Sequence, residues 1–321
     1  MKKINVKESW LNTLTMGLLG AVLMYLYSRV GEFATILQIL PFMVLYVNDG
    51  LKSTLVAMLI TYVIGFFLVD IVSLVYLIVF LSTSSLFIGY SIKNKKKLSY
   101  ILLNATYIKI ACFLALALFS YYVLEVNFIE VMKEAYQKSI ESVEASLAMN
   151  IDLSKAQIDG YMKTLRASVD VAVENIPAIV FIFSFIGVFI NTILGLKMLK
   201  KSRGDIKYVT KLNLLGASPE LKIASVSTTA IVFIIYLLGF EHIDTLISNV
   251  MMVLGFFYLV NGVLVADFII EKNKRNWMRF IMPVLFIVLL QAYFAYVIIG
   301  FLDMIFNFRR RIILYENTIG K

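Results

Sequence analysis

The sequence predicts an all-α, polytopic membrane protein of about nine transmembrane helices, with an extracytoplasmic helical hairpin inserted between spans five and six, and three observations predict it. Of 321 residues, 60% are apolar and 16% are charged, with mean hydropathy +0.86, against about 45–50% and about 25% in an average soluble domain. A soluble core has no room for that much apolar surface. Apolar runs of about 20 residues recur along the chain, the length that crosses ~30 Å of hydrocarbon as a helix with its backbone internally satisfied. Between Glu125 and Glu174 lies the one long polar stretch, whose fourteen charged residues are nine acids and five bases.

Spans one to five are expected at residues 10–28, 33–47, 51–70, 71–92 and 99–124. The start, Met1-Lys2-Lys3 followed by an apolar run from Leu14 to Tyr27, imitates a signal peptide. No small-x-small cleavage site precedes Arg29, so the segment is expected to remain as the first span. In the polar stretch, Phe128, Val131, Met132 and Ala135, then Ile140, Val143 and Leu147, recur at three- and four-residue spacing. Asn150-Ile151-Asp152 interrupts this stripe, and a second one, with Ile158, Tyr161, Met162 and Leu165 among its members, is opened by Ser154 with Gln157 three residues on, the spacing of a capping box. Two amphipathic helices joined by a short break form a hairpin over residues 125–175. Its stripes are expected to pack on each other, to lie on the membrane, or to cap the bundle.

Spans six to nine are expected at 176–199, 223–240, 243–270 and 280–302. Pro177 suits the first turn of span six. Gly216-Ala217-Ser218-Pro219 marks a turn before span seven. The chain thus divides into a six-span module (1–124 and 176–200), the hairpin (125–175), and three further spans with a basic tail (201–321).

Orientation follows from Lys and Arg in the short loops. Lys2, Lys3 and Lys7 precede span one; Lys93, Lys95, Lys96 and Lys97 follow span four; seven bases from Lys197 to Lys222 follow span six; Lys272, Lys274, Arg275 and Arg279 follow span eight. If every span crosses, all four clusters share one side, the cytoplasmic side, and the hairpin lies outside with Glu32, Asp70, Glu241 and Asp244. Arg309-Arg310-Arg311 would then be outside, against the rule. Either span nine stops short, or the arginines lie along outer-leaflet phosphates with Phe306 and Phe308 as an interfacial segment, which parity favours. The same loops account for the net charge of +9 without a nucleic-acid partner.

No G-x-x-x-x-G-K-[ST], G-x-G-x-x-G or H-E-x-x-H occurs. One cysteine, Cys112, and one histidine, His242, allow neither a disulfide framework nor a Cys/His metal cluster within one chain. With no serine motif to pair with it, His242 reads as a solvated loop residue. No catalytic residue, metal or cofactor is expected, and the chain does not read as an enzyme. Lys109 is the one basic residue deep inside a span, where a charge costs about 2.5–3.5 kcal/mol. Counted from the cytoplasmic ends, Lys109, Gln38, Asn191, Asn261 and Gln291 all lie ~12–16 Å deep. Asp70 stands at the outer end of span three, and no carboxylate shares the polar layer, so a charged Lys109 would find its counter-charge in a bound anion. The competing reading is that the amides form interhelical hydrogen bonds worth about 0.6 kcal/mol each, with Lys109 snorkelling or neutral. Gly17-x-x-x-Ala21 in span one permits close helix approach.

At the end of the last span the sequence reads Gly300-Phe301-Leu302-Asp303-Met304-Ile305-Phe306-Asn307-Phe308-Arg309-Arg310. This resembles the closing signature of the YybS-like family of uncharacterised bacterial multi-pass membrane proteins, domain of unknown function 2232; Pro177-Ala178, Asn191 and Asn261-Gly262 agree with it elsewhere. The family is distantly similar to the S components of energy-coupling factor transporters. That likeness implies a six-span substrate-binding module with an outward-opening pocket, although vitamin-specific motifs are not recognisable, three extra spans follow, and the alanine-rich docking pattern is reduced to Gly17-x-x-x-Ala21. The leading expectation is a small-molecule-binding, transport-associated protein that draws energy from a partner. The other is a non-catalytic scaffold or envelope-assembly protein whose hairpin docks a partner protein.

Overall fold

The computed structural model describes residues 6–30, 35–149, 154–203, 219–237, 244–272 and 293–319. Among them all regular structure is helical, in twelve helices: α1 (Val6–Val30), α2 (Thr35–Asp49), α3 (Leu51–Gly65), α4 (Ile71–Lys93), α5 (Leu98–Val123), α6 (Phe128–Ala148), α7 (Lys155–Glu174), α8 (Ile176–Arg203), α9 (Pro219–Leu237), α10 (Asp244–Lys272), α11 (Tyr293–Phe306) and α12 (Phe308–Ile319). Within five of them, the segments Ser9–Arg29, Ile71–Lys93, Leu98–Val123, Ile176–Lys201 and Asp244–Lys272 are long and apolar enough to cross a membrane; Leu37–Asp49, Leu51–Gly65 and Tyr293–Phe306 are apolar and shorter. This is a multi-pass helical membrane protein.

Span three comes out shorter than expected, and span two is as short as its expected bounds made it. α2 and α3 have 15 residues each, about 22 Å of helix against ~30 Å of hydrocarbon. Gly50 alone separates them, at φ +92° and ψ −176°, a conformation essentially closed to side-chain-bearing residues. α3 ends at Gly65 rather than continuing to Asp70, because the backbone turns there, with the Leu68 and Val69 amides donating to the Gly65 carbonyl at 2.9 and 3.0 Å. Composition alone could not reveal the stop, since Phe66, Phe67, Leu68 and Val69 are all apolar.

The chain forms two compact units, Met1–Val169 with Phe183–Val209, and Asp170–Ile182 with Thr210–Lys321. In the first, α1 packs on α2 and α3, α2 on α4, and α4 on α5. Phe42, Leu45, Ala57 and Met58 form a fully buried cluster. Gly17 lets α1 reach α3: a Cβ there would stand 3.0 Å from the Ala57 carbonyl oxygen, and Thr61 Oγ1 donates to the Gly17 carbonyl at 2.8 Å. The Gly17-x-x-x-Ala21 face, with Ala21 also buried, is therefore used inside this bundle.

In the second unit α10 and α11 are the most closely packed pair. A Cβ at Gly262 would overlap the Tyr296 carbonyl, and one at Gly300 the Tyr258 carbonyl, so the two backbones touch. Leu254, Tyr258 and Met304 are buried beside that contact. Asn249 of α10 fixes the start of α8, accepting from the Ala178 amide at 2.9 Å and donating to the Glu174 carbonyl at 2.9 Å. Beside it Ser248 Oγ donates to Asn175 Oδ1 at 2.9 Å. These bonds supply partners that a helix N-terminus otherwise lacks.

Candidate functional site

The first unit brings together two of the expected site residues. Lys109 of α5 and Asn191 of α8 line one small cavity with Ser84 and Leu81 of α4 and Ile39 of α2. Asn191 Nδ2 donates to the Gly187 carbonyl one turn back at 2.8 Å. Asn191 Oδ1 and Ser84 Oγ have no hydrogen-bond partner among the described residues, although Asn191 is 1% exposed and Ser84 0%. Gly187 makes room for the amine, since a Cβ there would lie 3.1 Å from Lys109 Nζ. The cavity holds about 20 Å³ for the centre of a water-sized sphere, room for one water.

A larger, half-open groove of about 350 Å³ runs between the N-terminal part of α4 and the C-terminal part of α5, among Leu116, Ser120 and the exposed Ile71, Val75 and Leu124. Its walls are apolar apart from Ser120 and the Tyr76 hydroxyl. Tyr76 and Phe80 line both spaces, with ring centroids 4.4 Å apart and planes tilted by 41°. This aromatic pair, one turn apart on α4, is common to the lining of the groove and of the small cavity.

The remaining expected residues lie elsewhere. Gln38 is fully buried and donates from Nε2 to the Leu23 carbonyl at 3.0 Å, fastening α2 to α1, with its Oε1 unpartnered among the described residues. Asp70 is the exposed N-cap of α4, accepting from the Ser73 amide at 2.9 Å. Hydrogen bonds from the Ser73 side chain, then its backbone, hold the Asp70 carboxyl below the ordinary carboxylate value. Gln291, His242, Pro283 and the Asn150-Ile151-Asp152 break lie outside the described residues.

Asn261 belongs to the second unit, where it is the centre of the terminal motif. Its Nδ2 donates to the Gly300 carbonyl at 2.8 Å and to Asp303 Oδ2 at 3.3 Å, and its Oδ1 accepts from Arg309 Nη2. Arg309 also donates to Asp303 Oδ2 from Nη2 at 2.8 Å and from Nε at 3.1 Å. Asp303 is 2% exposed and Arg309 6%. Asn307, at φ +54°, takes a left-handed turn that asparagine tolerates. It breaks the helix between α11 and α12, and beside the break Arg309 reaches Asp303 while Phe308 stacks on Phe306 with centroids 5.7 Å apart.

Two expectations are corrected here. A carboxylate does reach the level of Asn261, namely Asp303. Arg309 does not lie among surface phosphates with Arg310 and Arg311, which are exposed; it is a buried ion pair.

On the hairpin, Ser154 and Gln157 form the expected reciprocal cap, with the Ser154 amide 2.9 Å from Gln157 Oε1 and the Gln157 amide 3.4 Å from Ser154 Oγ. Arg166 and Glu144 bridge the two helices at 3.1 Å, both exposed. Val143 and Leu147 of α6 face Tyr161, Met162 and Leu165 of α7 across an open groove of about 510 Å³. The stripes turn toward each other without closing.

Sequence reasoning missed Ser84, Gly187, the Tyr76–Phe80 pair and the Asn249 clip. The run Ser82-Thr83-Ser84-Ser85 within an apolar span was the available signal for the first. Comparison with curated proteins and with solved structures gives no match. The family model described as "Predicted membrane protein (DUF2232)" matches residues 14–304. The match runs from the first span into the Gly300–Arg310 motif, which agrees with the resemblance that motif carried, and the chain belongs to the DUF2232 family of membrane proteins.

Proposed function

We propose that the first unit binds a small molecule between α4, α5 and α8, reached from the end of the bundle that bears the hairpin. The observation that supports this is a pair of buried polar atoms without a hydrogen-bond partner among the described residues, Asn191 Oδ1 and Ser84 Oγ, whose residues line a cavity together with Lys109. Each such atom costs about 1–3 kcal/mol when left unsatisfied. A bound polar group relieves that cost, and the adjoining groove of about 350 Å³ is at the lower end of the range for small-molecule sites. The charge clusters orient the protein with Lys93–Lys97 in the cytoplasm, so the groove, at the opposite end of α4, opens outward. Transport would need an energised partner, because the sequence holds no nucleotide-binding loop. That partner would dock on a surface other than Gly17-x-x-x-Ala21, which α3 occupies.

Native mass spectrometry of the protein purified from its own membranes tests this reading. A retained small molecule is expected on the wild type and not on Val75→Trp, which fills the groove. An adduct undiminished by Val75→Trp would sink the proposal.

A second reading rests on the open hairpin groove. An exposed apolar groove on a hairpin carrying nine acids suits a docked protein, making the chain a scaffold. Deleting residues 127–174 should then abolish co-purification of that partner while leaving small-molecule retention untouched.

A further inference from the structure

We infer that the hairpin has one charge-free face and that this face docks a second copy of the chain, the two hairpins pairing about a two-fold axis into a four-helix bundle; this names the occupant of the open groove in the scaffold reading above, on which it rests. The half-buried residues Met132, Tyr136, Ile140 and Leu147 mark the side of α6 turned to α7, and the matching side of α7 is marked by Ile158, Met162 and Leu165. At about 100° per residue, the two flanks of these stripes are unlike. On one flank stand Lys133 and Glu144 of α6 and Lys155 and Arg166 of α7, with the Glu144–Arg166 bridge at 3.1 Å joining the helices there. Every other charged residue of α6, and of α7 up to Val169, falls on that flank or on the back of its helix. The opposite flank carries no charge. It has Ala135, Ser139 and Ser146 on α6, and Tyr161, Thr164 and Ser168 on α7, the last three lining the groove.

The hydroxyls of this face are already spent inside their own helices. Ser139, Ser146, Thr164 and Ser168 each donate to the carbonyl four residues back, at 2.9, 2.8, 3.1 and 2.9 Å. Burying them under another helix therefore strands no donor, and their small size lets that helix come close. Tyr161, 60% exposed at the groove, is the projecting side chain of the face. In a two-fold pair α6 of each copy lies against α7 of the other, so a face without charge brings no like charges together. A membrane surface fits less well, because helices that lie on lipid carry bases beside their apolar face, and here the bases are on the other flank or the back. A charged partner protein finds no counter-charge on this face. Both ends of the hairpin run into helices long and apolar enough to span a membrane, Leu98–Val123 and Ile176–Lys201, so two copies in one bilayer present their hairpins at the same level. That confinement raises the effective concentration of one face for the other. Two helices side by side offer roughly 30 Å by 20 Å, of the order of the ~800 Å² per partner in a standard interface.

The bridge between Glu144 and Arg166 sets the register: Ser146 stands level with Thr164, and in the pair Ser146 of one copy meets Thr164 of the other. Two differently tagged full-length copies, both Cys112→Ser, are co-expressed, one with Ser146→Cys and the other with Thr164→Cys, and their membranes are oxidised. A disulfide-linked pair is expected, with at least tenfold less from Glu141→Cys and Lys163→Cys on the charged side. In a second measurement the tagged copies without added cysteines are solubilised in mild detergent, and one tag is used to pull down the other. Ser168→Arg, at an exposed position, should leave the melting temperature unchanged and cut this co-purification at least tenfold, while Glu141→Gln leaves it intact. Copies that neither cross-link nor co-purify would overturn the second copy. So would co-purification that Ser168→Arg leaves untouched, which would place the pairing on another surface. A foreign protein that co-purifies and is lost with Ser168→Arg, without pairing of the two tags, would overturn the second copy and leave the scaffold reading standing. If deleting residues 127–174 removes no protein from the purified material, both fall.

Discussion

Gly187 decides where the amine of Lys109 can rest. An alanine Cβ would lie 3.1 Å from Nζ, a contact the end of a flexible lysine relieves by moving a few tenths of an ångström. Alanine is also the better helix former by up to about 1 kcal/mol. Gly187→Ala is therefore expected to leave the melting temperature level or slightly raised while reducing ligand retention severalfold. Gly187→Val should abolish retention, and wild-type retention by the valine variant, read by native mass spectrometry, would separate Lys109 from the site. Asp70 has a different role. Its depressed carboxyl adds stability that is present above the unfolded-state value near 4 and is lost as pH falls through the lower folded-state value. Asp70 is exposed, so solvent screens the effect. Asp70→Ala should cost about 1 kcal/mol at neutral pH through loss of the cap. Asp70→Asn keeps a capping oxygen and should instead flatten the acid limb of a melting curve taken against pH. The sequence allowed Lys109 and Asn191 to be placed at one depth, because a polar atom in an apolar run declares itself. It hid Gly187, whose role is set by a side chain on another helix, and it hid the Asp303–Arg309 pair, whose members lie past the end of the expected span and meet around the turn at Asn307.

Helix ends show the same limit. α4, α5 and α8 begin within a residue of where hydropathy put them, because Asp70, Lys97 and Asn175-Ile176-Pro177 punctuate the chain there. α3 and α11 end where the backbone turns, which hydropathy does not see. The register of α11 on α10, with Gly262 against Tyr296 and Tyr258 against Gly300, brings Phe306 level with about Met252. α11 therefore ends about two turns before the N-terminus of α10 is reached. The clamp of Asn261, Asp303 and Arg309 holds α12 at that point. Removing one member of a buried ion pair strands the other, at a cost of about 3–5 kcal/mol. Asp303→Asn and Arg309→Gln should each lower the melting temperature strongly, and the double variant should lose clearly less than the two single losses added together. Additive losses in that double-mutant cycle would show that the pair is not coupled. Gly300→Ala tests the helix contact separately: its methyl meets backbone rather than a movable side chain, so at least 1–3 kcal/mol of overpacking is expected.

At the scale of the molecule, charge is divided by segment: the loop after α4 carries Lys95, Lys96 and Lys97, while residues 125–174 carry nine acids and five bases. Under the proposed orientation, with the bases on the cytoplasmic side, the end of the bundle near Leu124 would be the outer one and the α4–α5 groove would face extracellular solutes. Single-cysteine labelling puts this to the test, because Cys112 is the only native cysteine and Cys112→Ser replaces a half-buried thiol that now contacts Thr83 Oγ1 at 3.3 Å with a hydroxyl of similar reach. On that background Glu144→Cys on α6, Lys95→Cys between α4 and α5, and Tyr315→Cys on α12 are all at exposed positions. Glu144 gives up only a surface pair with Arg166, worth about 0–1 kcal/mol. A membrane-impermeant maleimide applied to intact cells should label Glu144→Cys and Tyr315→Cys, and should reach Lys95→Cys only after permeabilisation. The reverse pattern at 144 and 95 would turn the groove toward the cytoplasm and end the case for an outward-facing site. Labelling at 144 with protection at 315 would mean that α11 and α12 do not deliver the chain to the outer face, and that the clamp holds α12 within the bilayer.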